Sequence, residues 1–177
     1  SDLIKYSSKY DTFEKAIKAD FKRDETLFSF EITSARYISQ QFERHRNFSY
    51  AERSLRFVAA DKENFEIVLP QELQNSSKLK EVKQYLKQSI ELYLQLREIG
   101  LSKDDCRSAV PLCTATKFVA TAQLTWWMDF LNKRYIPAAS KEMIRLCQQI
   151  YNQLPAAVRD IIYKSCKENM EKANDKV

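Results

Sequence analysis

The chain has 177 residues, of which 44% are hydrophobic and 30% are charged, so we expect a folded protein with a sizeable core. Its single glycine excludes the Rossmann fingerprint and the P-loop, which need several glycines, and its single histidine excludes metal sites built from several histidines. The net charge of +5 is a mild basic excess interleaved with acidic residues, which favours a small anionic ligand over nucleic acid.

The chain contains no apolar run of the roughly 20 residues that a membrane-spanning helix needs. Residues 1–5 also lack the apolar core of a signal peptide. We therefore expect a cytoplasmic protein that does not bind membranes. No pair of cysteines has the C-x-x-C spacing, so we expect no metal site.

The first half of the chain alternates between helical and extended patterns. Apolar residues four apart predict a short amphipathic helix over residues 11–22. Phe28 and Phe30 alternate with polar residues, which predicts a strand over residues 26–33. Helical spacing returns over residues 35–46.

The middle of the chain contains the clearest helical pattern. Two short strands are predicted over residues 54–57 and 64–69. Apolar residues at steps of three and four then predict a long helix over residues 79–99, which Gly100 ends as a C-cap.

The remaining elements complete a mixed fold. Ser102 begins a short helix that reaches Ser108, with Asp105 completing a capping box. A strand is predicted over residues 112–124. Three helices follow, over residues 125–134, 138–154 and 156–173. The order of elements indicates an α/β fold of α+β-like character, with a small mixed or antiparallel sheet packed with several helices in one domain over residues 1–177.

Residues 40–57 are rich in cationic side chains: within thirteen residues they contain Arg44, His45, Arg46, Arg53 and Arg56. One interpretation is that these cations stabilise the end of a helix by complementing its dipole. The other is a phosphate-binding site, because the planar guanidinium fork binds phosphate oxygens through two hydrogen bonds. Both interpretations stay open at this point.

The same stretch resembles the flavin-dependent (ThyX-type) thymidylate synthases. Arg44-His45-Arg46, followed after seven residues by Ser54, has the spacing of that family's signature. Residues 107–112 resemble its Arg-x-x-Leu-Pro-Leu segment, and residues 127–134 resemble its Asn-x-x-Leu-Arg helix. The resemblance covers about residues 25–155, with consistent spacing.

The resemblance implies a ThyX-type fold and a specific reaction. Members of this family transfer a methylene group from methylenetetrahydrofolate to dUMP and reduce it with FAD, which NADPH recharges. It also implies a homotetramer whose active sites are shared between subunits.

The resemblance also implies roles for individual residues. Contacts to dUMP are expected from Gln41, Glu52, Ser54 and Arg56, while Arg107 and Arg134 are expected to hold its phosphate or base. Arg44, His45 and Arg46 are expected between the nucleotide and FAD, with Gln123 on the FAD side. Catalysis is assigned to Arg44, His45, Arg46 and Ser54.

The sequence departs from the family mainly at the flavin. Gln123-Leu124-Thr125 replaces the usual Asn-Ala-Arg, which removes an arginine, and residues 18–24 lack the family's upstream histidine. Leu55 also replaces the glycine usual after the motif serine. The nucleotide half of the site is therefore retained better than the flavin half.

Two other functions stay open. The first is a divergent member of the family that binds a pyrimidine deoxynucleotide but has altered or lost its chemistry. The second is a non-enzymatic helical interaction protein. Aromatic residues occur at two places of interest: Phe48 and Tyr50 lie inside the motif, and Trp126-Trp127 form a pair. At each place the rings could either stack on a ligand or simply pack in the protein.

Overall fold

The computed structural model describes the backbone of residues 4–7 and all atoms of residues 26–54 and 65–177. The chain divides into two compact units. The first unit comprises Ser1–Ile32, Gln41–Ala51 and Phe118–Val177, and the second comprises Thr33–Gln40 and Glu52–Lys117. The single domain over residues 1–177 stays a prediction.

Four strands form one sheet in the order β1-β2-β4-β3. They are β1 (Ile4–Ser7), β2 (Leu27–Ala35), β3 (Ser49–Glu52) and β4 (Ala115–Gln123). β1 pairs antiparallel with β2, with Ile4 opposite Ile32. Phe28, Phe30 and Ile32 on β2 are fully buried, so the strand predicted from their alternation is confirmed.

Seven α-helices lie in the described part of the chain: α1 (Arg36–Phe42), α2 (Gln71–Gln74), α3 (Leu79–Glu98), α4 (Lys103–Cys106), α5 (Leu124–Arg134), α6 (Lys141–Gln153) and α7 (Ala156–Asn174). A 3-10 turn, Arg107–Ala109, follows α4. Helices combined with a small sheet confirm the predicted fold class. No helix in residues 4–7, 26–54 and 65–177 is long and apolar enough to cross a membrane.

The end of α3 confirms the predicted glycine cap. Gly100 has a φ of 92°, a left-handed conformation that glycine adopts without a steric penalty. Its N–H donates to the Arg97 carbonyl at 3.1 Å, and the Leu101 N–H donates to the Leu96 carbonyl at 3.1 Å. These two bonds form a Schellman motif, which satisfies carbonyls that the helix itself leaves unpaired.

The predicted cap of the next helix is also confirmed. The Asp105 N–H donates to Ser102 Oγ at 3.1 Å, and Ser102 Oγ lies 2.6 Å from Asp105 Oδ2. The α-helix itself ends earlier than predicted, at Cys106, where the 3-10 turn begins.

The core of the first unit is built around α5, α6 and α7. Trp127, Phe130 and Leu131 on α5 are fully buried. Trp127 Nε1 donates to the Phe28 carbonyl at 3.1 Å, which satisfies its one polar group inside the core. Trp127 is therefore a core residue and does not form a stacking surface.

Two sequence predictions need correction, and one strand was not predicted. The helix predicted over residues 35–46 ends at Phe42, because the chain then makes three-residue turns in which the His45 N–H donates to the Phe42 carbonyl at 2.8 Å. Strand β3 was not predicted. Of the strand predicted over residues 64–69, the described residues 65–69 form only an isolated antiparallel bridge, in which Ile67 lies opposite Thr114.

Two predicted elements fall wholly or largely outside the described residues: the helix over residues 11–22, and residues 55–57 of the strand predicted over 54–57. Ser54, the described residue of that strand, follows β3 and is not in a strand.

Candidate active site

The first unit brings together two of the sequence stretches that carry the family resemblance. Arg134, at the end of α5, donates from Nε to His45 Nε2 at 3.0 Å. Its Nη2 donates to the Gln41 carbonyl at 3.2 Å. His45 lies in the turn after α1, residues 43–47, which we call the arginine turn. The arginine turn is therefore anchored to a helix 89 residues further along the chain.

Aromatic rings line the buried side of His45. Its ring meets Phe130 edge-on at a centroid distance of 5.0 Å and Phe48 edge-on at 6.1 Å. Burial and, second, the nearby Arg134 cation lower the pKa of His45 below its usual 6.5. At neutral pH His45 is uncharged, and because Nε2 accepts from Arg134, Nδ1 carries the proton.

Tyr50 on β3 also holds the arginine turn, through its hydroxyl group. Its hydroxyl donates to the Phe42 carbonyl and to the His45 carbonyl, the latter at 3.2 Å. The Tyr50 ring stacks on Phe48, with centroids 5.9 Å apart and planes 11° apart. Burial raises the pKa of the Tyr50 hydroxyl, so it stays protonated as a donor at neutral pH. Of the two interpretations of Phe48 and Tyr50, these contacts favour packing.

Arg44 and Arg46 point away from this anchored core. Both side chains are exposed, and neither forms an ion pair with any residue in the described part of the chain. The turn therefore presents two permanent positive charges to solvent on either side of a neutral histidine.

In the second unit, Glu52 at the end of β3 accepts two hydrogen bonds and forms one ion pair. Its Oε1 accepts from Ser39 Oγ at 3.0 Å and from Thr116 Oγ1 at 2.7 Å, and Arg36 Nη1 lies 3.9 Å away. Ser39 and Thr116 are 2% and 3% exposed. We call these four residues, Arg36, Ser39, Glu52 and Thr116, the Glu52 cluster.

Glu52 was predicted from the sequence as a site residue, but its three partners were not. Thr116 carried a signal, because it shares the buried face of β4 with Phe118. Ser39 sits on α1 between residues assigned to the core, and nothing in its local sequence indicates a partner 13 residues away.

Ser54 follows the Glu52 cluster directly. The segment that carries it is held at Arg53, whose N–H donates to the Lys117 carbonyl at 2.8 Å, while Arg36 Nη2 donates to the Arg53 carbonyl at 3.4 Å. Ser54 itself is half-buried. Arg56 lies outside the described residues.

The last predicted residues lie at the ends of helices. Arg107, in the 3-10 turn of the second unit, forms an exposed ion pair with Asp104 at 2.9 Å. Gln123, in the first unit, is the N-cap residue of α5, and Thr125 lies in the first turn of that helix.

The predicted site residues therefore fall into two groups. The first unit holds Gln41, Arg44, His45, Arg46, Gln123 and Arg134, and the second holds Glu52, Ser54 and Arg107.

Comparison with known proteins identifies the family to which this chain belongs. A family model described as thymidylate synthase complementing protein matches residues 24–158. This is more than half of the chain, so the chain belongs to that family. The match agrees with the extent expected from the sequence motifs, and the resemblance is confirmed.

Several relatives carry the name flavin-dependent thymidylate synthase. The one from Pyrococcus furiosus is 28% identical over 143 residues, which are 78% of this chain and 58% of the relative. The one from Thermococcus onnurineus is 30% identical over 112 residues, 62% of this chain and 46% of the relative. The one from Synechocystis is 27% identical over 147 residues, 76% of this chain and 65% of the relative. The chain thus spans about half to two thirds of the length of these curated relatives.

Proposed function

We propose that this chain is a subunit of a cytoplasmic flavin-dependent thymidylate synthase. The proposed enzyme transfers a methylene group from methylenetetrahydrofolate to C5 of dUMP and reduces it to give dTMP. The observation that carries the proposal is the Arg134–His45 hydrogen bond of 3.0 Å, which joins two motifs that the family resemblance had assigned to one site. The name shared by the relatives supports the same activity.

The donor set of the arginine turn fits FAD. Arg44 and Arg46 are exposed and have no ion-pair partner among the described residues, and guanidinium groups bind diphosphate oxygens through charge-assisted hydrogen bonds. We assign Arg44, His45, Arg46 and Gln123 to holding the cofactor. When bound, FAD supplies the hydride that reduces the transferred methylene, and NADPH restores it.

We assign the nucleotide to the other predicted residues. Arg134 uses two N–H groups on His45 and Gln41, and a guanidinium has five, so donors remain for a phosphate or base oxygen. Glu52 Oε2 accepts no bond from a described residue, which leaves it for a donor such as the imide N–H of uracil. Ser54 and Arg107 add a hydroxyl and a cation, and Arg56 adds a second cation.

The chemistry proposed for the chain itself is electrostatic. Carbon C5 of uracil attacks best when negative charge accumulates on the ring oxygens, and neighbouring cations stabilise that charge. Arg44, Arg46 and Arg134 supply permanent positive charge, and neutral His45 supplies an Nδ1–H donor without adding an acid that would protonate the ring. Ser54 acts by positioning the nucleotide, and a covalent bond to it is not required.

The proposal includes a homotetramer. Its residues are distributed over two units of the chain, and a shared site lets different subunits contribute each set. Gel filtration with light scattering should therefore give a mass of four chains of 20.9 kDa.

The test of the proposal is flavin binding followed by turnover. We expect FAD to bind about ten- to a hundredfold more weakly than to a member with the full Asn-Ala-Arg pattern, because Thr125 lacks the charge-assisted bond of an arginine. Fluorescence titration with FAD, with and without dUMP, should show saturable binding that Thr125→Arg strengthens. Thr125→Gln serves as a size-matched neutral control.

Formation of dTMP from dUMP, methylenetetrahydrofolate and NADPH then completes the test. Failure to bind FAD under every condition would contradict the proposal. Binding of dUMP without formation of dTMP would instead favour the second candidate, a nucleotide-binding member with altered chemistry. The observation that favours this candidate is the replacement of the flavin-site arginine by Thr125.

A further inference from the structure

The carboxylate of Glu52 is held through one of its two oxygens. Oε1 accepts from Thr116 Oγ1 at 2.7 Å and from Ser39 Oγ at 3.0 Å, whereas Oε2 accepts no bond from a residue in the described part of the chain. The Glu52 side chain is 21% exposed, so the Glu52 cluster leaves part of it accessible. One carboxylate oxygen is therefore used inside the protein, and the other is available to a donor from a ligand.

Thr116 contributes the shorter of these two hydrogen bonds. It lies on the buried face of β4, where it is 3% exposed, and its β-branched side chain has little rotational freedom. Ser39 has one hydroxyl proton, and its oxygen lies 3.1 Å from the Arg36 carbonyl as well as 3.0 Å from Glu52 Oε1. Because Ser39 divides its donor between two acceptors, Thr116 fixes the orientation of the carboxylate more strongly.

The backbone beside this carboxylate is fixed as well. The Arg53 N–H donates to the carbonyl of Lys117, the residue after Thr116, at 2.8 Å. Arg36 Nη2 donates to the Arg53 carbonyl at 3.4 Å, and Arg36 Nη1 lies 3.9 Å from Glu52 Oε1. The last torsion angle of a glutamate side chain is soft, so a hydrogen bond to one oxygen determines where the other oxygen points.

We propose that Thr116 is a positioning residue for the nucleotide and acts through Glu52: its hydroxyl holds Oε1 and thereby orients Oε2 toward a hydrogen-bond donor of dUMP. This inference rests on the proposed function, because it takes dUMP as the ligand. A carboxylate can only accept hydrogen bonds. The uncharged donors of dUMP are the imide N–H of the base and the hydroxyl of the sugar, and Oε2 binds one of them.

The first experiment measures the affinity for dUMP by calorimetric titration. Thr116→Val removes the hydroxyl but keeps the size and the branching of the side chain. It should weaken dUMP binding about three- to tenfold, the scale of one hydrogen bond. Thr116→Ser keeps a hydroxyl and should restore most of the affinity.

Thr114→Val is the matched control. Thr114 is also 3% exposed and lies two residues before Thr116, but its Oγ1 is buried without a hydrogen-bond partner in the described part of the chain. The control makes the same chemical change outside the Glu52 cluster, so it should leave the affinity for dUMP unchanged. Urea denaturation of each variant shows that it is folded.

The second experiment determines whether Thr116 acts through Glu52. Thr116→Val should weaken dUMP binding in the wild-type background but have no further effect in a Glu52→Ala background, because the carboxylate that Thr116 orients is then absent. A residue that only supports the strand would weaken binding by the same factor in both backgrounds.

The third experiment uses two analogues of dUMP to identify the donor. 3-Methyl-dUMP lacks the imide N–H, and 2′,3′-dideoxyuridine monophosphate lacks the sugar hydroxyl. For each analogue, the affinity of the wild type is compared with that of Thr116→Val. The loss caused by Thr116→Val should disappear with the analogue that lacks the donor bound by Glu52 and persist with the other.

Three results would overturn the proposal: wild-type affinity in Thr116→Val, an equal loss in Thr114→Val, or the same loss from Thr116→Val with and without Glu52. Persistence of the loss with both analogues would also overturn it, because Oε2 would then bind neither donor. If the wild type binds no dUMP, the nucleotide site and this role are both wrong. Binding of dUMP without formation of dTMP would contradict only the proposed reaction, because every measurement here is an affinity.

Discussion

His45 and Glu52 are both half-buried ionisable groups, but their surroundings are opposite. Glu52 Oε1 is an acceptor surrounded by donors, two of them hydroxyls that are almost fully buried. His45 also accepts a bond, but its donor is a cation, and burial and that cation lower its pKa. Glu52 therefore supplies the acceptor that the surrounding hydroxyls need, whereas the residues around His45 lower its pKa.

This difference predicts that mutations around Glu52 change stability, whereas mutations around His45 change its pKa. Removing the Glu52 carboxylate leaves the buried Thr116 hydroxyl without its acceptor, which lowers the stability of the fold. Removing Arg134 leaves the arginine turn held by Tyr50 but removes the second of the two main causes that lower the pKa of His45. The two regions should consequently respond to mutation in different measurements.

The largest effect is expected in the Glu52 cluster. Glu52→Ala should lower the free energy of unfolding by about 2–3 kcal/mol, because the buried Thr116 hydroxyl loses its acceptor, Ser39 keeps only the Arg36 carbonyl at 3.1 Å, and Arg36 loses its ion pair. Glu52→Gln retains an acceptor oxygen and should lose about half as much. Glu98→Ala, on an exposed position of α3, is the control and should change stability by less than about 0.5 kcal/mol. Urea denaturation measures all three, and equal values for Glu52→Ala and Glu98→Ala would contradict the structural role.

The next effect concerns nucleotide binding. Arg134→Ala and Arg107→Ala should each weaken dUMP binding by about 1.5–3 kcal/mol, or roughly 10- to 150-fold, the scale of one charged hydrogen bond. Arg107→Ala should leave stability nearly unchanged, because its ion pair with Asp104 is exposed. Calorimetric titration measures the affinity. Lys133→Ala, beside Arg134 but outside the proposed site, is the control, and unchanged affinity in both arginine variants would show that the arginine site is wrong.

The smallest expected effect is on the pKa of His45. The chain has one histidine, so its NMR titration is unambiguous. Its pKa should lie below 6.5 in the wild type and rise in Arg134→Met, although burial should keep it from rising fully to 6.5. A pKa that does not respond to Arg134→Met would contradict the pairing.

The same shift has a consequence for stability. Because the folded pKa is lower than the unfolded one, the unfolded chain takes up a proton first as the pH falls below 6.5. The contribution of His45 to stability is thus present above that pH and is lost as the pH falls through the folded pKa. The slope between pH 6.5 and 5 should be shallower in His45→Gln, which still offers Arg134 an acceptor but does not titrate.

Local patterns were sufficient for the elements that local chemistry controls. The alternation in β2, the long apolar stripe of α3 and the caps at Gly100 and Ser102 are set by residues within a few positions of one another. Strand β3 was missed because its four residues, Ser-Tyr-Ala-Glu, contain no apolar alternation. Its pairing within the sheet is what makes it a strand.

The residues of the candidate site were named from the family resemblance, and they remain a prediction, but their arrangement could not be predicted from the sequence. The family resemblance named His45 and Arg134, yet a bond between residues 89 positions apart depends on the packing of α5. The helix predicted to reach Arg46 stops at Phe42 because Phe48 is drawn into the core, where it is 8% exposed, and Tyr50 bonds the carbonyls behind it. The partners of Glu52 were missed because they too depend on packing between residues that are distant in the sequence.

Gly100 sets the length of α3. A methyl group added at this position would meet no atom within 4 Å, so the only objection to a larger residue is its backbone angle, φ 92°. That objection is worth about 1–2 kcal/mol for an ordinary residue. Because the chain has no other glycine, it has no second position where the backbone could turn left-handed at no cost. The C-terminal limit of α3, and with it the exposed position of Ile99, therefore depends on a torsion angle and not on a contact.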